Sequence, residues 1–469
     1  MPLPRDDQGG CYHVVVVGGG PAGLAAAAAA VRAGCAVALV DAARDLGGQY
    51  WRHRPGRLDE VPASTLFTLL AETVRSGATL LTEHEVWTVG RSTRGFAVRA
   101  VNAAYERTVH GAAVVIATGA ADRQLPFPGW DLPGVFTAGG AQALLKGHGV
   151  TVGRRVAVGG TGPFLLPVAA GLAADGVKIV GVFEANATSG WLSRLPAIAR
   201  NARRVSEAAA YRAKLVASGA RYRTGCAIVA AHGDRHLEAV TAAGLDSDWQ
   251  VRPGTSRTVR CDALAVGWGF TPRIELAIGL GCPIRVDTDG SVVVSADEDQ
   301  ATAVSGVYVA GEACGVGGAA LAVAEGEIAG YAAAARLGKR GSPDPARARR
   351  ARARLRTFAA AMHHVYPVRD GWQDWLHPET LVCRCEEVPV RSVIESVQEL
   401  GATDARSVKL LSRAGMGWCQ GRICGYATSR LAASGSGGSG TEVGLAHRPL
   451  AAPVPLGLLA GTTETRENA

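Results

Sequence analysis

The chain of 469 residues is longer than one hydrophobic core usually serves, so its length predicts two or three domains. Charged residues make up 19% and hydrophobic residues 48% of the sequence, which excludes a disordered chain and a coiled coil and favours a soluble α/β protein. Much of the net charge of +8 comes from arginines between Arg336 and Arg356, in a stretch with a helical pattern. We interpret this stretch as a solvated helix face, with a docking surface for an acidic partner as the alternative, and expect no nucleic-acid binding.

The N-terminal apolar run from Val14 to Val40 imitates a membrane helix in composition. It contains the segment G-G-G-P-A-G, however, and no cleavage pattern follows it, so we expect neither a signal sequence nor an integral membrane segment. Six of the ten cysteines are scattered singly, which does not fit a secreted disulfide framework. Together these observations predict a cytoplasmic protein.

The first strand–turn–helix unit carries a nucleotide-binding pattern. A β-branched run at residues 12–17 leads into Gly18, Gly20 and Gly23, which form G-x-G-x-x-G at the start of an alanine-rich helix, and Asp41 ends the next strand. In such a pattern the three glycines permit the tight turn, the approach of backbone to a pyrophosphate, and close helix–strand packing. The helix N-terminus faces the phosphate charge, and Asp41 accepts hydrogen bonds from ribose hydroxyls. The cofactor contacts predicted in this unit are Gly18, Gly20, Pro21, Ala22, Gly23 and Asp41.

Three further segments favour FAD over NAD as the first cofactor. The segment G-G-Q at 47–49 supplies flexible backbone and an amide for the ribityl chain and ring, and V-V-I-A-T-G at 114–119 is a buried strand that turns close to the cofactor. The segment G-V-Y-V-A-G-E at 306–312 ends on a carboxylate and precedes a glycine-rich helix start. The contacts predicted in these segments are Gly48, Gln49, Thr118, Gly119, Gly311, Glu312, Gly318 and Ala319.

These segments resemble the two-dinucleotide-domain flavoproteins related to glutathione reductase and ferredoxin reductases. The resemblance implies an α/β fold with two Rossmann-like dinucleotide-binding domains, in which residues 1–150 and 285–340 form the FAD domain and residues 151–284 form the second domain. In that family the last carboxylate is usually Asp, which binds the ribityl chain or pyrophosphate region. Glu312 is one methylene longer and so departs from the family pattern.

The second strand–turn–helix unit, at 155–184, is an incomplete copy of the first. Gly160 and Gly162 match the first two glycines, but Leu165 replaces the third, which predicts obstructed helix–strand packing. Glu184 at the end of the following strand suits a ribose 2′-hydroxyl and disfavours a 2′-phosphate. Three interpretations stay open: the unit binds NADH, it binds another adenine nucleotide, or it binds nothing.

Four cysteines are grouped near the C-terminus. Cys383 and Cys385 form C-x-C, and Cys419 and Cys424 form C-x-x-x-x-C after a stretch with a helical pattern. Four thiolates in two close pairs can hold a metal centre. We favour a 2Fe–2S cluster over zinc, because structural zinc sites prefer C-x-x-C and because the chain already carries a redox cofactor.

The residues around these cysteines suit a cluster. Gly415, Gly417 and Gly421 would let backbone amides point at cluster sulfurs, while Arg413 and Arg422 would offset its negative charge. We assign residues 374–432 to this small module, residues 341–373 to an arginine-rich helical connector, and residues 433–469 to a flexible linker and tail. The linker contains S-G-S-G-G-S-G at 434–440.

The segments V-C-R-C-E-E-V and W-C-Q-G-R-I-C-G resemble the 2Fe–2S domain of the bacterioferritin-associated ferredoxin type. With the FAD motif, the incomplete second motif and the late H-R-P-L-A-A-P-V-P-L, they resemble the FAD-dependent alpha-type subunit of opine oxidases, hydroxyproline and proline dehydrogenases, and hydrogen cyanide synthase. The resemblance implies an oxidoreductase subunit that works with a second FAD subunit. The partner oxidises an amine, imino acid or opine, and this chain passes the electrons through flavin and cluster to an acceptor.

Two other functions are alternatives to an electron-carrying subunit. A self-contained NADH-dependent reductase would take hydride at the second nucleotide domain and deliver electrons through the cluster, and Leu165 counts against it. A scaffold that keeps its cofactors for stability or docking would have no activity. Neither nucleotide domain contains C-x-x-C, so we expect no dithiol partner for the flavin. His363, His364 and Tyr366 lie outside every flavin motif, so we expect no substrate-oxidising site from them.

Overall fold

The computed structural model describes residues 10–54, 57, 61, 64–339, 345–437, 444, 448 and 450–460. The first elements are β1 (Cys11–Val17), α1 (Pro21–Arg32), β2 (Val37–Val40), α2 (Ser64–Gly77), β3 (Ala78–Leu81), β4 (Glu85–Ser92), β5 (Gly95–Val101), β6 (Glu106–Ile116) and β7 (Ala120–Asp122). They are followed by β8 (Val135–Thr137), α3 (Ala138–His148), β9 (Arg155–Gly160), α4 (Leu165–Ala174), β10 (Lys178–Glu184), α5 (Leu195–Ala199), α6 (Ala202–Ala217), β11 (Tyr222–Thr224), β12 (Cys226–His232), β13 (Ala239–Gly244), β14 (Arg257–Arg260) and β15 (Ala263–Gly267).

The last elements include the later part of the first domain and the cysteine module. They are β16 (Phe270–Pro272), α7 (Glu275–Gly279), β17 (Ile284–Val286), β18 (Val292–Val294), β19 (Val307–Val309), α8 (Ala319–Arg336), α9 (Ala346–Val365), β20 (Leu381–Cys383), β21 (Val388–Pro389), α10 (Val390–Gln398), α11 (Ala405–Ser412) and α12 (Gly425–Ser436).

The first sheet has the strand order β3-β2-β1-β6-β5-β4, and β19 also pairs with β6. Strand β1 runs parallel to β2 and β6, and its residues Val14 to Val17 are buried, as expected for a central strand covered on both faces. Strand β19 joins in parallel, with Val307 opposite Val114. The later segment of the chain therefore returns to complete the first sheet, which confirms the predicted fold class.

Helices α1 and α8 pack against each other through small residues. A Cβ atom added to Gly326 would lie 2.0 Å from the carbonyl oxygen of Ala22, and one added to Gly330 would lie 2.2 Å from that of Ala26. The bare backbone of α8 therefore touches α1 directly. This contact fixes the start of α8 beside the start of α1, so two helix N-termini are presented at one edge of the first sheet.

The second sheet is parallel, with the order β11-β10-β9-β15-β8. Strand β8 belongs here because Val135 pairs with Leu264, whereas the sequence assignment left β8 and α3 in the first domain. A three-residue strand is too short to show a periodic pattern, so only its pairing reveals its sheet. We therefore propose residues 135–267 as the second nucleotide domain. The antiparallel ribbon β7–β16 links the two domains.

The cysteine module shares a hydrophobic core with the second nucleotide domain instead of forming a separate one. Buried tryptophans from both parts meet there: the rings of Trp249 and Trp375 stack with centroids 6.0 Å apart, and Trp268 packs against both. The indole of Trp375 donates to the carbonyl of Trp249 at 3.1 Å, and that of Trp130 donates to Leu381 at 2.7 Å. The module is thus an extension of that domain.

The C-terminal segments differ from the sequence assignment in one further respect. Helix α12 continues through Ser436 and ends at Gly437 in a left-handed conformation, so the serine–glycine stretch begins inside a helix. The remainder of that stretch, 438–440, lies outside the described residues. In the described part of the chain, no helix has both the length and the apolar character needed to cross a membrane.

Replacing Trp375 by Ala should destabilise the second nucleotide domain and the cysteine module together, because the side chain fills the core that both share. A Trp→Ala change in a core costs about 3–5 kcal/mol. Calorimetry and iron release on heating would both shift to lower temperature. The matched control is Trp418→Ala, since Trp418 is 76% exposed and should leave both transitions unchanged. Iron release that shifts while the rest of the protein unfolds as before would contradict a shared core.

Candidate functional site

A cavity of about 1810 Å³ lies between the two nucleotide domains. It is lined by every residue predicted to contact FAD except Gly23, which lies beneath the turn. The predicted residues in its lining are Gly18, Gly20, Pro21, Ala22, Asp41, Gly48, Gln49, Thr118, Gly119, Gly311, Glu312, Gly318 and Ala319. The fold therefore gathers segments that lie far apart in the sequence around one space.

The first glycine turn is packed too closely for side chains. Gly18 has φ of +106°, and a Cβ atom there would lie 2.3 Å from the carbonyl oxygen of Ala117. A Cβ atom on Gly23 would lie 1.7 Å from the carbonyl oxygen of Gly18. Gly23 therefore acts through helix–strand packing and not through ligand contact, in agreement with the role expected of the third glycine.

Two bare backbone segments meet at the N-terminus of α1. Gly48 has φ of +58°, and a Cβ atom added to it would lie 2.8 Å from the Cα of Gly20. A Cβ atom on Gly20 would have only the Cα of Gly48 nearby, at 3.8 Å, and would otherwise point into the cavity. A helix N-terminus with such open backbone beside it suits a pyrophosphate. The residues present here fit FAD.

Asp41 lies at the end of β2 with its carboxylate turned toward the glycine turn. It accepts hydrogen bonds from the backbone amides of Gly19 and Ala43. Burial raises the pKa of Asp41 despite these hydrogen bonds. Because its side chain also lines the cavity, Asp41 can exchange an amide partner for a ribose hydroxyl.

Glu312 folds back on the start of the helix that follows it. Its carboxylate accepts a hydrogen bond from the backbone amide of Gly318, the residue before α8, at 3.0 Å, and burial raises its pKa. The extra methylene of Glu, compared with the Asp usual in similar flavoproteins, supplies reach for this contact. Glu312 therefore satisfies the N-terminus of α8 while lining the cavity.

Two arginines of the basic helix α9 have a buried role that the sequence interpretation missed. Glu325 on α8 is 0% exposed, accepts from the amide of Gly311 at 3.1 Å, and forms ion pairs with Arg356 at 2.7 Å and Arg352 at 3.6 Å. Arg356 also donates to the carbonyl of Gly315 at 2.9 Å. The solvated-face interpretation is wrong for these two residues, which hold the Gly311 turn in place.

His363 and Tyr366, near the end of α9, line the cavity, although they lie outside every flavin motif. The Nε2 of His363 lies 2.8 Å from the carbonyl oxygen of Val316 and must donate to it, because a carbonyl only accepts. Its Nδ1 lies 4.0 Å from a carboxylate oxygen of Asp289. Both ring nitrogens of His363 therefore face oxygen acceptors. No local pattern in α9 could have revealed this, because it arises from packing.

Asp289 continues this polar network toward the cysteine module. Its carboxylate pairs with Arg123 at 2.9 Å, and although burial acts in the opposite direction, Arg123 and His363 lower the pKa of Asp289. The guanidinium of Arg123 lies over the ring of Tyr426 at 4.5 Å. Tyr426 follows Cys424 by two residues, so a chain of charged and aromatic contacts runs from the cavity to the module.

The second glycine turn keeps its shape but turns its carboxylate inward. A Cβ atom on Gly160 would lie 1.8 Å from the carbonyl oxygen of Gly267, so the tight turn is present. Glu184 accepts from the hydroxyl of Thr161 at 2.7 Å and from the amide of Gly162 at 2.8 Å. It is 0% exposed, and burial raises its pKa to about 7. Unlike Asp41, Glu184 does not line the cavity.

The four cysteines of the module come together. Hydrogen bonds join their sulfurs: the thiol of Cys424 lies against the acceptors Cys383 and Cys419, and the thiol of Cys385 donates to Cys419. The bond from Cys424 is the main cause that lowers the pKa of Cys383 to about 6 and that of Cys419 to about 5. Within the described residues, no three His, Cys, Asp or Glu side chains are grouped as ligands of a single metal ion.

Backbone amides donate hydrogen bonds to these sulfurs, and a glycine lets the backbone pass close to one of the cysteines. Amides of Gly415 and Gly421 donate to Cys383 and Cys419, respectively. A Cβ atom on Gly417 would lie 2.3 Å from the Cβ of Cys385. The pKa is lowered at Cys383 and Cys419 and raised at Cys385 and Cys424. Four cysteine sulfurs in two close pairs with amide donors beside them suit an iron–sulfur cluster, so the residues present fit that group.

The two arginines expected to offset cluster charge each form an ion pair with a carboxylate. Arg413 pairs with Glu386 at 2.7 Å, and Arg422 pairs with Glu275 at 2.9 Å. Each positive charge therefore has a carboxylate beside it. The expectation that these arginines compensate the cluster directly is incomplete, because each shares its charge with a carboxylate. The sequence did not reveal these carboxylates, because they lie far from their arginines along the chain.

Comparison with known proteins assigns the class. The pyridine nucleotide-disulphide oxidoreductase family matches residues 12–341, and the BFD-like 2Fe–2S binding domain matches residues 381–434. The chain therefore belongs to the pyridine nucleotide-disulphide oxidoreductase family, as an FAD-dependent oxidoreductase with a 2Fe–2S domain at its C-terminal end. The two predicted cofactors are confirmed.

More specific relatives are subunits of oxidases. The chain is 32% identical over 454 residues to the A-subunit of the opine oxidase of Rhizobium meliloti. The matched region covers 92% of this chain and 94% of the relative. It is 33% identical over 323 residues to the HcnB subunit of the hydrogen cyanide synthase of Pseudomonas protegens, covering 68% of this chain and 69% of the relative. Both relatives are named as subunits of larger enzymes.

Solved structures share the fold. The crystal structure of L-proline dehydrogenase from P. horikoshii matches with a TM-score of 0.70 and 23% identity, covering 97% of this chain and 81% of that one. The thioredoxin reductase of T. acidophilum matches with a TM-score of 0.51 and 21% identity, covering 70% of this chain and 99% of that one. The reductase therefore matches along almost its whole length but leaves part of this chain without a counterpart.

Replacing Gly20 by Val should abolish FAD binding, because the branched side chain would occupy the cavity where the pyrophosphate approaches the backbone. The backbone of Gly20 has φ of −75°, which valine adopts, so the fold should survive. Absorbance of the purified protein would show the loss of flavin. Gly90→Val is the control, since nothing lies within 4 Å of a Cβ atom on this strand residue. Retention of stoichiometric FAD in Gly20→Val would contradict the assignment of the turn.

Glu184 should make the protein less stable as pH rises. Its carboxyl ionises near pH 4.5 when unfolded but at about 7 when folded, so the stability due to its protonated form is present below 4.5 and is lost as pH rises through about 7. At about 1.4 kcal/mol per pKa unit, the loss is on the order of 3 kcal/mol. Glu184→Gln cannot ionise and should lack this component.

Thermal unfolding of wild type and Glu184→Gln at about pH 5 and about pH 8 would measure the difference. The exposed Glu298 provides the control variant Glu298→Gln, which should follow the wild type at both pH values. An equal change with pH in wild type and Glu184→Gln would mean that Glu184 is already ionised in the folded protein.

Proposed function

We propose that this chain is the electron-carrying subunit of an enzyme that oxidises an amine, an imino acid or an opine. A second FAD-containing subunit would oxidise the substrate, and this chain would pass the electrons through its own FAD and cluster to an acceptor. Similarity to the A-subunit of opine oxidase over nearly the whole of both chains supports this assignment. We also propose a cytoplasmic location, because its ten cysteines, all among the described residues, form no disulfide, as is usual in reducing compartments.

The chain's own residues would bind and orient the two cofactors. The turn at Gly20 and Gly48 would receive the pyrophosphate at the N-terminus of α1, and Asp41 would hold the ribose. Cys383, Cys385, Cys419 and Cys424 would hold the cluster. FAD exchanges electrons in pairs or singly, and a 2Fe–2S cluster exchanges them singly.

The single observation that carries this proposal over an NADH-dependent reductase is the burial of Glu184. NADH would need the carboxylate at the end of β10 for its ribose, but that carboxylate is buried and already accepts from Thr161, Gly162 and Asn186. To serve NADH, Glu184 would have to leave three donors without an acceptor, each at a cost of about 1–3 kcal/mol. The substrate's electrons would therefore enter from the partner subunit.

Anaerobic mixing of the purified chain with NADH, followed by flavin absorbance, tests this entry route. We expect no bleaching within the turnover time of the complete enzyme, because the second turn offers no free carboxylate for the ribose. Coexpression with the partner subunit, then addition of proline, hydroxyproline or an opine, should bleach the flavin. Rapid bleaching by NADH alone would establish the self-contained reductase instead.

Replacing Cys419 by Ser should remove the cluster and leave the flavin bound. The cavity that holds FAD is built from other segments, so the variant should stay yellow. Electron paramagnetic resonance after anaerobic reduction, with iron and zinc measured on the same sample, would show loss of the 2Fe–2S signal. Reduction of a one-electron acceptor should fall at the same time. Cys226→Ser, at a cysteine outside the module, is the control and should keep its iron.

A further inference from the structure

Glu275 lies where the cavity meets the cysteine module. It is the first residue of α7, lines the cavity, and its side chain is 7% exposed. Two residues earlier, the backbone of Arg273 bonds to the predicted flavin turn: its amide donates to the carbonyl of Gly119 at 2.9 Å, and its carbonyl accepts from the hydroxyl of Thr118 at 2.5 Å. Any movement of Glu275 is therefore transmitted to that turn.

Two arginines from the other side meet on the same carboxylate oxygen of Glu275. The Nε of Arg422 lies 2.9 Å from it and a terminal nitrogen of Arg448 lies 3.0 Å from it. Arg422 also donates to the carbonyl of Cys419 at 3.2 Å, and Arg448 donates to the carbonyl of Gln420 at 2.7 Å. One carboxylate thus binds both arginines that donate to Cys419 and Gln420, the segment named here the cluster loop.

The tail of the chain closes the same junction. Arg422 donates to the carbonyls of Leu450 and Ala451 at 3.0 and 2.7 Å. The amide of Ala451 donates in turn to the carbonyl of Trp87, on strand β4 of the first sheet, at 2.9 Å. Arg422 therefore binds a cluster-ligand carbonyl, a cavity carboxylate and the tail that is fixed to the FAD domain.

Glu275 brings a negative charge to this junction. Two guanidinium groups bind its carboxylate in a largely buried setting, so removal of the carboxylate would make the surroundings of the cluster loop more positive. A nearby positive charge favours the reduced cluster, which carries one more negative charge than the oxidised one. The carboxylate of Glu275 therefore keeps the reduction potential of the cluster lower than the arginines alone would set it.

We propose that Glu275 is a positioning residue for electron transfer between flavin and cluster, an inference that rests on the proposed function. It fixes the cluster loop against the flavin turn and balances the charge of Arg422 and Arg448. In the step concerned, the reduced flavin loses one electron, one ferric ion of the cluster becomes ferrous, and a flavin proton leaves to solvent. Electron transfer slows steeply with distance, so a loosened junction slows this step.

The test uses Glu275→Gln in the full chain with both cofactors bound. The amide keeps the size of the side chain but removes its charge. After light-driven anaerobic reduction of the flavin, we expect the rate at which the cluster signal appears to fall by about tenfold, the equivalent of one lost charge-assisted hydrogen bond. Redox titration should show a raised cluster potential, and protease should cut the tail near Leu450 faster.

Matched variants separate a specific role from a general loss of stability. Glu275→Asp keeps the charge and should keep the potential near that of the wild type. Arg448→Gln removes a positive charge and should lower the potential, the opposite direction, which gives a second test if Glu275→Gln folds poorly. Asp370→Asn breaks the exposed ion pair with Arg430 of α12, away from the cluster loop, and should change neither rate nor potential.

The results distinguish this inference from the proposed function. A wild-type chain that reduces its flavin with NADH would overturn the proposed function and leave the role of Glu275 intact, because the light-driven measurement needs neither NADH nor a partner. A Glu275→Gln protein with the rate and potential of Asp370→Asn would overturn the positioning role and leave the proposed function standing.

Discussion

The parallel pairing of β19 with β6 is the constraint on which the cofactor site depends. It returns Val307 to the sheet begun by β1 after the whole second nucleotide domain has intervened in the chain. Helix α8 can then pack on α1 at glycine positions that admit no side chain, and the turn at Gly311 reaches the edge of the sheet where the first glycine turn lies. Without this return, the cavity would lack the lining that Gly311, Glu312, Gly318 and Ala319 supply.

The two strand–turn–helix units differ in how their strand-end carboxylates are placed. Asp41 and Glu184 occupy the same place in two strand–turn–helix units, one at the end of β2 and the other at the end of β10. Asp41 lines the cavity, whereas Glu184 is fully buried among donors of its own turn. A motif that looks alike in sequence thus gives one carboxylate that faces the cavity and one that is buried within its own turn.

The sequence could predict features that depend on neighbours along the chain. The glycine turns, the strand-end acids and the paired cysteines all belong to this kind, because each needs residue types at fixed short spacings. The sequence could not predict the partners of Arg356, the cavity position of His363 or the sheet that β8 joins. These follow from packing between segments far apart in the chain, and an arginine with a buried carboxylate partner looks in sequence like one on a solvated face.

The way the cysteine module is attached gives the second nucleotide domain a structural role of its own. The apolar contact of the module is with that domain, through the tryptophans around Trp249, whereas its contact with the first domain is polar and centred on Glu275. Apolar packing supplies most of the favourable free energy of the contact but is not directional, whereas an ion pair with shared hydrogen bonds fixes the relative position of the two parts. The second domain therefore carries the module, and the polar junction sets its place beside the flavin cavity. This role requires the fold of the second domain but not an intact nucleotide site, so the loss of the third glycine at Leu165 is compatible with keeping the whole domain.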